Sequence, residues 1–301
     1  MRPIRIGTRG SALALWQAEH VAARLRDLGQ ETTIEVIVTT GDRVQDRRLE
    51  AVGGKGAFLK EIEEAMLARR VDLAVHSLKD VPVRLPDGLR LAATLERADP
   101  RDGFLSAGGQ RLRALGAGAR IGTTSLRRRA LLRHVRPDLG LEDLRGNVDT
   151  RIRRLREGRY DAIVLAMAGL NRLGRADEVT EPLDPSVFVP APGQGAIVLE
   201  CRADDPETAG VAARLHHEPT ARAVTAERTF LEALGGGCNV PLGAHASAEG
   251  EGEGLRLRAF VAPEEGEGLM RGEAAGGDAA ELGRRLAGDF VARGAIELMG
   301  R

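Results

Sequence analysis

Arg5-Ile6-Gly7-Thr8 recurs as Arg120-Ile121-Gly122-Thr123, and each copy is followed within a few residues by serine, arginine and a helical pattern. A second pair of segments echoes the first: Val71-Asp72-Leu73-Ala74-Val75 resembles Tyr160-Asp161-Ala162-Ile163-Val164. Short apolar runs of this kind read as buried strands, and helical spacing between them implies parallel βαβ units. Four-residue matches arise by chance, but these stand at matching points of two such patterns. The fold class that follows is α/β, with two similar doubly wound domains facing each other. Ligands of such sheets bind beyond the carboxyl ends of the strands, here at the cleft between the domains.

Working outward, Ile4–Gly7 predicts a strand, and Ser11 caps a helix from Ala12 to about Leu28. A strand over Thr33–Thr39, a polar loop over Gly41–Gly56 and a helix over Ala57–Arg69 follow. Glu96–Asp102 is charged and proline-bearing and suits a linker. Next come a strand at Arg120–Gly122, a helix at Ser125–His134, a short strand at Leu141–Leu144, a helix at Asp149–Glu157 and a buried strand at Ala162–Ala166. Val189–Gly195 holds two prolines and two glycines and reads as a hinge or crossing segment. A strand at Ile197–Glu200 and a helix-rich stretch from Pro206 to Leu234 lead to a small C-terminal α+β domain. Its three antiparallel strands are expected at Gly243–Ser247, Leu255–Ala262 and Leu269–Glu273, with a closing helix at Ala279–Arg293.

Composition narrows the function. The 301 residues carry 44 basic and 44 acidic side chains, so no global field draws the chain to nucleic acid or a membrane. Aromatics are only 3%, too few for base-stacking surfaces. Two cysteines, Cys201 and Cys238, make neither a disulfide framework nor a zinc site, and no metal is expected. No apolar run reaches membrane-spanning length and the N-terminus has no signal-type stretch, so the expectation is a soluble chain in a reducing cytoplasm. Lys55, Lys60 and Lys79 are the lysines; the other basic residues are arginines, whose planar fork grips carboxylate or phosphate with two parallel hydrogen bonds.

Polar groups gather at several expected strand ends. Thr8-Arg9-Gly10-Ser11 and Gly122-Thr123-Thr124-Ser125-Leu126-Arg127-Arg128 are matched turns into helix N-termini, which bind anions through free N–H groups and a partial positive charge. One such turn alone would be a helix cap beside solvated arginines; two, joined by Arg145-Gly146-Asn147, Arg151 and Arg172, point to anion binding. His76-Ser77-Leu78-Lys79-Asp80 closes the strand at Val71–Val75 and places acid, base and hydroxyl together, with His76 read as a hydrogen-bonded, partly buried residue. Gly53-Gly54-Lys55-Gly56 lacks P-loop spacing, and Lys55 there can reach an anion. Cys201 reads as a small buried hydrophobe. Cys238, after Gly235-Gly236-Gly237, has the exposed, unencumbered setting of an attached or reactive thiol.

These residues together resemble the porphobilinogen deaminase (hydroxymethylbilane synthase) family. The motifs run in order: Gly53-Gly54-Lys55-Gly56, His76 to Pro82, Gly122 to Arg128, Leu144 to Asn147, Tyr160 to Ile163, Ala168 to Gly174, Pro192-Gly193-Gln194-Gly195, Thr225-Ala226-Glu227-Arg228 and Gly236-Gly237-Cys238. The resemblance implies type II periplasmic-binding-protein-like domains: residues 1–95 with 196–215, residues 100–190, and a third domain over 218–301. It implies a transferase that condenses four porphobilinogens, each losing ammonia, into linear hydroxymethylbilane. It also implies a dipyrromethane cofactor held by a thioether to Cys238. By the same carry-over Asp80 is the catalytic acid/base. Ser77, Lys79, Thr123, Ser125, Arg127, Arg128 and Arg151 bind the cofactor. Arg9, Ser11, Arg145 and Arg172 bind the substrate and growing chain, with Lys55 and Phe58 bordering the loop that admits it. Ala51 stands where many relatives carry lysine, so that loop has one cation fewer. The rival reading is a non-catalytic anion-binding module on the same scaffold, which leaves the Gly-Gly-Gly-Cys and His-Ser-Leu-Lys-Asp runs without a purpose.

Overall fold

The computed structural model describes residues 2–39, 59–236, 240–250, 252, 254–265 and 268–300. In chain order the main elements are β1 (Ile4–Thr8), α1 (Ala12–Asp27), β2 (Thr32–Val36), α2 (Lys60–Leu67), β3 (Leu73–Ser77), β4 (Leu89–Thr94), β5 (Asp102–Ser106), β6 (Arg120–Gly122), α3 (Leu126–Val135), β7 (Gly140–Glu142), α4 (Val148–Arg156), β8 (Ala162–Ala166), α5 (Met167–Arg172) and β9 (Glu181–Pro182). They continue with β10 (Ile197–Arg202), α6 (Pro206–Ala213), α7 (Glu218–Ala233), β11 (Leu242–Ala248), β12 (Leu255–Val261), β13 (Met270–Gly276), α8 (Ala279–Ala292) and α9 (Ala295–Leu298). Two compact units result: Met1–Ala98 with Ala196–Ala221, and Asp99–Gly195 with Arg222–Arg301.

The first unit holds a five-stranded sheet in the order β2-β1-β3-β10-β4. β1 is parallel to β2 and β3, whereas β10 is antiparallel to β3 and β4. The second unit repeats the diagram as β7-β6-β8-β5-β9, with β6 parallel to β7 and β8, and β5 antiparallel to β8 and β9. The fold class read from the sequence is therefore the one observed. The antiparallel strand has opposite origins in the two sheets. β5 precedes the parallel strands of its unit, while β10 returns to the first unit after the whole of β5–β9.

The sequence repeat has a physical cause. Asp72 accepts from the Arg5 backbone N–H at 3.1 Å and its own N–H donates to the Arg5 carbonyl. Asp161 does the same with Arg120, at 2.7 Å. Each aspartate thus locks the start of one parallel strand to the start of its neighbour. The repeated glycine answers close approach: a Cβ on Gly7 would lie 3.0 Å from Val71 Cγ2, and one on Gly122 would lie 2.9 Å from Leu144 and Tyr160 atoms.

One face of the first sheet buries Ile4, Ile6, Leu73, Val75, Ile197 and Leu199 against α1 and α6. The third sheet, β11-β12-β13, is antiparallel throughout. Alternation along β12 sends Leu255, Leu257, Ala259 and Val261 into a core with Phe230 and Phe290, whose rings meet edge-on at 5.1 Å. Phe260 joins instead the core of the β7-β6-β8-β5-β9 sheet.

Two expectations need correction. Leu89–Thr94 and Asp102–Ser106 are strands, although neither carries a strong local strand pattern, because their partners are distant in sequence: β10 for β4, β8 and β9 for β5. The linker therefore ends before Asp102, which opens β5 and is fully buried.

Candidate active site

Each unit gathers its polar groups at the carboxyl ends of its parallel strands, the usual ligand position in doubly wound sheets. In the first unit β1 ends at Thr8, whose hydroxyl donates to the Ala14 carbonyl at 3.1 Å. Arg9 follows, half-buried, and Ser11 caps α1 by accepting from the Ala14 N–H. β3 ends at Ser77, and Leu78–Asp80 form a single 3-10 turn. Leu78 is buried and its N–H donates to the Ala196 carbonyl, so Lys79 and Asp80 are carried, half-buried, on an anchored turn. Gln17, which sequence reasoning missed, donates to Ser77 Oγ at 2.8 Å from a buried position on α1. Its signal was available: a polar residue on the apolar stripe of an amphipathic helix.

His76 is buried, as expected of it, with Nε2 3.0 Å from Glu200 Oε2. Glu63 on α2 belongs to the same surroundings. Burial, and then the Glu200 charge, push its carboxyl up to about 7 from an ordinary 4.5. The folded chain holds this proton more tightly than the unfolded chain. The associated stability is fully present below about pH 4.5 and is lost as pH rises through about 7. Glu63→Gln is therefore expected to exceed the parent in stability in alkaline buffer, by about 1–2 kcal/mol after allowance for screening, and to match it in acid. Denaturant titrations at the two pH values check this; an equal difference at both would refute it.

In the second unit β6 ends at Thr123, which is buried and accepts from the Ser125 N–H at 3.2 Å. Ser125 caps α3 through the Arg128 N–H. Arg127 and Arg128 are both buried and turned onto Asp102. Arg127 Nη2 lies 2.6 Å from Asp102 Oδ2, and its Nη1 donates to the Val189 carbonyl at 2.8 Å. Arg128 donates through Nε and Nη2 to Asp102 Oδ1, at 3.1 and 2.7 Å, and through Nη1 to the Val164 carbonyl. Gln194 adds a bond to Asp102 Oδ1 at 3.1 Å. Burial pushes the Asp102 carboxyl up, but the two guanidiniums outweigh it and hold it well below the usual carboxylate range.

After β7, Asn147 caps α4 and Arg151 Nε donates to the Gly146 carbonyl at 2.7 Å. Arg145 sits half-buried beside them, its carbonyl accepting from Arg154. Arg172, on α5 after β8, donates to the Gly195 carbonyl at 2.7 Å. Burial alone lowers its guanidinium to about 10. The Val189–Gly195 segment is where the chain crosses from one unit to the other, and it is well tied: the Gly193 N–H donates to buried Glu227 at 2.7 Å.

Cys201 is in the core, and burial pushes its thiol up. α7 ends on Gly235 and Gly236, whose N–H groups cap the Glu232 and Leu231 carbonyls. Cys238 lies outside the described residues, as do Lys55 and Phe58. Among the described residues no group of acids, histidines and cysteines could hold a metal ion, and no helix is long and apolar enough to cross a membrane.

The geometry defines a class: a doubly wound α/β protein whose strand ends carry arginines and helix-capping serine and asparagine side chains. Comparison narrows it. The family model described as porphobilinogen deaminase, dipyromethane cofactor binding domain, matches residues 4–210, and that of the porphobilinogen deaminase C-terminal domain matches residues 221–292. The chain belongs to the porphobilinogen deaminase family, and is a transferase of porphyrin biosynthesis. Porphobilinogen deaminase of Syntrophobacter fumaroxidans is 48% identical, over 99% of this chain and 97% of the relative. That of Roseiflexus sp. is 50% identical, over 98% and 97%. Among solved structures, an ABC-transporter periplasmic substrate-binding protein from Coxiella burnetii aligns with a TM-score of 0.45 at 15% identity, over 75% of this chain and 96% of that one.

Proposed function

We propose that the protein joins four porphobilinogens head to tail, each with loss of ammonia, on a dipyrromethane primer fixed by a thioether to Cys238, and that one water then cleaves the bond to the primer and frees linear hydroxymethylbilane, the protein acting as a cytoplasmic monomer. The observation that carries the reading is the excess of buried positive charge at the strand ends of the second unit. Two buried guanidiniums, those of Arg127 and Arg128, share the single Asp102 carboxylate. A tetracarboxylate is the kind of group that relieves such a site. The residues present thus fit the primer. A guanidinium has five N–H donors, so Arg127 and Arg128 keep donors for primer carboxylates beyond those given to Asp102. Thr123, Ser125, Arg151, Ser77 and Lys79 complete that set. Each good arginine–carboxylate contact contributes about 1.5–3 kcal/mol.

Once bound, the primer supplies the pyrrole carbon to which the first unit is joined. The remaining chemistry belongs to side chains. Arg9, Ser11, Arg145 and Arg172 hold the acetate and propionate of substrate and growing chain, with Lys55 and Phe58 at the loop that admits it. Loss of ammonia leaves a cationic azafulvene-like substrate, and C–C bond formation leaves a proton to remove. The Asp80 carboxylate stabilises the positive charge at pyrrole N–H groups and takes that proton. Residues 218–301 form the domain that bears the tether.

Intact mass under reducing conditions, after incubation with porphobilinogen, tests the reading. The expected result is an excess of two pyrrole units that reductant does not remove and that Cys238→Ser lacks. An unmodified mass in the parent chain would refute it and favour an anion-binding module.

A further inference from the structure

The face of the first sheet beneath α2 carries a polar cluster that this chemistry leaves unused. His76 on β3 and Glu200 on β10 meet at 3.0 Å with 7% and 0% of their side chains exposed. Glu63 reaches the same place from α2, with both Glu200 and His76 acting on its charge. One carboxylate oxygen of Glu63 and one of Glu200 are buried without a hydrogen-bond partner. The surrounding layer is apolar: Ile37, Ile62, Ala65, Met66, Val71 and Leu89. Two acids around one imidazole in such a layer destabilise the fold unless they share protons and hydrogen bonds.

The other charged groups on this face are committed or peripheral. Arg202 on β10 donates to the Met66 and Val71 carbonyls and pairs with Asp72 and Asp205. Asp72, just before β3, also pairs with Arg5 of β1. On α2, Glu64 adds a weaker charge effect on Glu63, and Glu61 stands two residues before it in the same first turn.

His76 immediately precedes Ser77, and β10 holds both in register, His76 opposite Val198 and Ser77 opposite Ile197. We propose that His76, gripped by Glu200 and covered by Glu63, is a positioning residue that fixes the end of β3 and with it the turn carrying Asp80. The inference rests on the role given to Asp80 above. With Glu63 protonated, one carboxylate serves the imidazole. Ionising Glu63 sets a second carboxylate beside the first, where it repels Glu200 and competes for the ring N–H. The β3 end then shifts, and turnover responds while substrate affinity, set by arginines elsewhere, does not.

The test uses the primer-loaded enzyme and its Glu63→Gln and Glu200→Gln variants, with kcat and KM for porphobilinogen followed from about pH 5.5 to about pH 9. An inflection in kcat near neutrality is expected in the parent and absent in Glu63→Gln. Glu200→Gln is expected to lower kcat about tenfold with KM held within about twofold. Nitrogen NMR of the His76 ring gives a readout independent of turnover: the pH profile of its signals should differ between the parent and Glu63→Gln. An inflection that survives Glu63→Gln, or a ring that ignores it, would overturn the proposal even if Glu200→Gln fails to fold. A parent chain that consumes no porphobilinogen would instead overturn the catalytic reading.

Discussion

Asp80→Ala is expected to abolish porphobilinogen turnover, a loss of about 10²–10⁴-fold, while the protein stays folded. The carboxylate is assigned two duties, stabilising the deaminated, cationic substrate and removing the proton left after C–C bond formation. Removing it therefore strikes the transition state rather than binding, and kcat should fall with KM little changed. The fold should survive because the turn is held by backbone bonds and an apolar anchor. Leu78 is buried and donates to Ala196, and the Val81 N–H closes the turn on the Leu78 carbonyl. Asp80→Asn keeps shape and hydrogen bonding but neither charge nor basicity, and it should be nearly as inactive. Turnover assays beside circular dichroism check both; near-normal activity in either variant removes Asp80 from the mechanism.

Asp102→Ala is expected to cost stability instead, by about 3–5 kcal/mol, which lowers the thermal midpoint on the order of 10 °C. The loss comes less from the missing bonds than from what remains: two buried guanidiniums with no counter-charge, and a Gln194 amide that loses one acceptor. Asp102→Asn retains volume and one acceptor oxygen but leaves the charge uncompensated, so it should recover only a minor part. A bound polyanion would offset the excess charge, so primer-loaded Asp102→Asn should melt above its primer-free form by more than the parent does. Thermal melts of both forms decide this, and a midpoint within about 2 °C of the parent would contradict the hub role of Asp102.

Much of this was legible in the sequence because it rests on local pattern. The repeated Arg-Ile-Gly-Thr tetrads and the paired Val-Asp-Leu and Tyr-Asp-Ala strands disclosed two sheets of one design. Burial on both faces makes such strands apolar runs whatever lies elsewhere in the chain. Ser11, Ser125 and Asn147 were recognisable in place as caps or polar strand ends, since a cap bonds within its own first turn. The ordered motifs, from His76-Ser77-Leu78-Lys79-Asp80 to Gly236-Gly237-Cys238, carried the family.

Tertiary structure decided what each charge meets. Asp102 looked like the end of a solvated linker, yet it is the buried carboxylate on which Arg127 and Arg128 converge from 25 and 26 residues away. Gln17 finds Ser77 across 60 residues because α1 packs on β3, and His76 finds Glu200 across 124 because β10 returns to the first sheet after the second is complete. Periodicity reports which face of an element is apolar. It carries no information on which distant strand will lie beside it, and the protonation and orientation of buried polar groups depend on that neighbour alone.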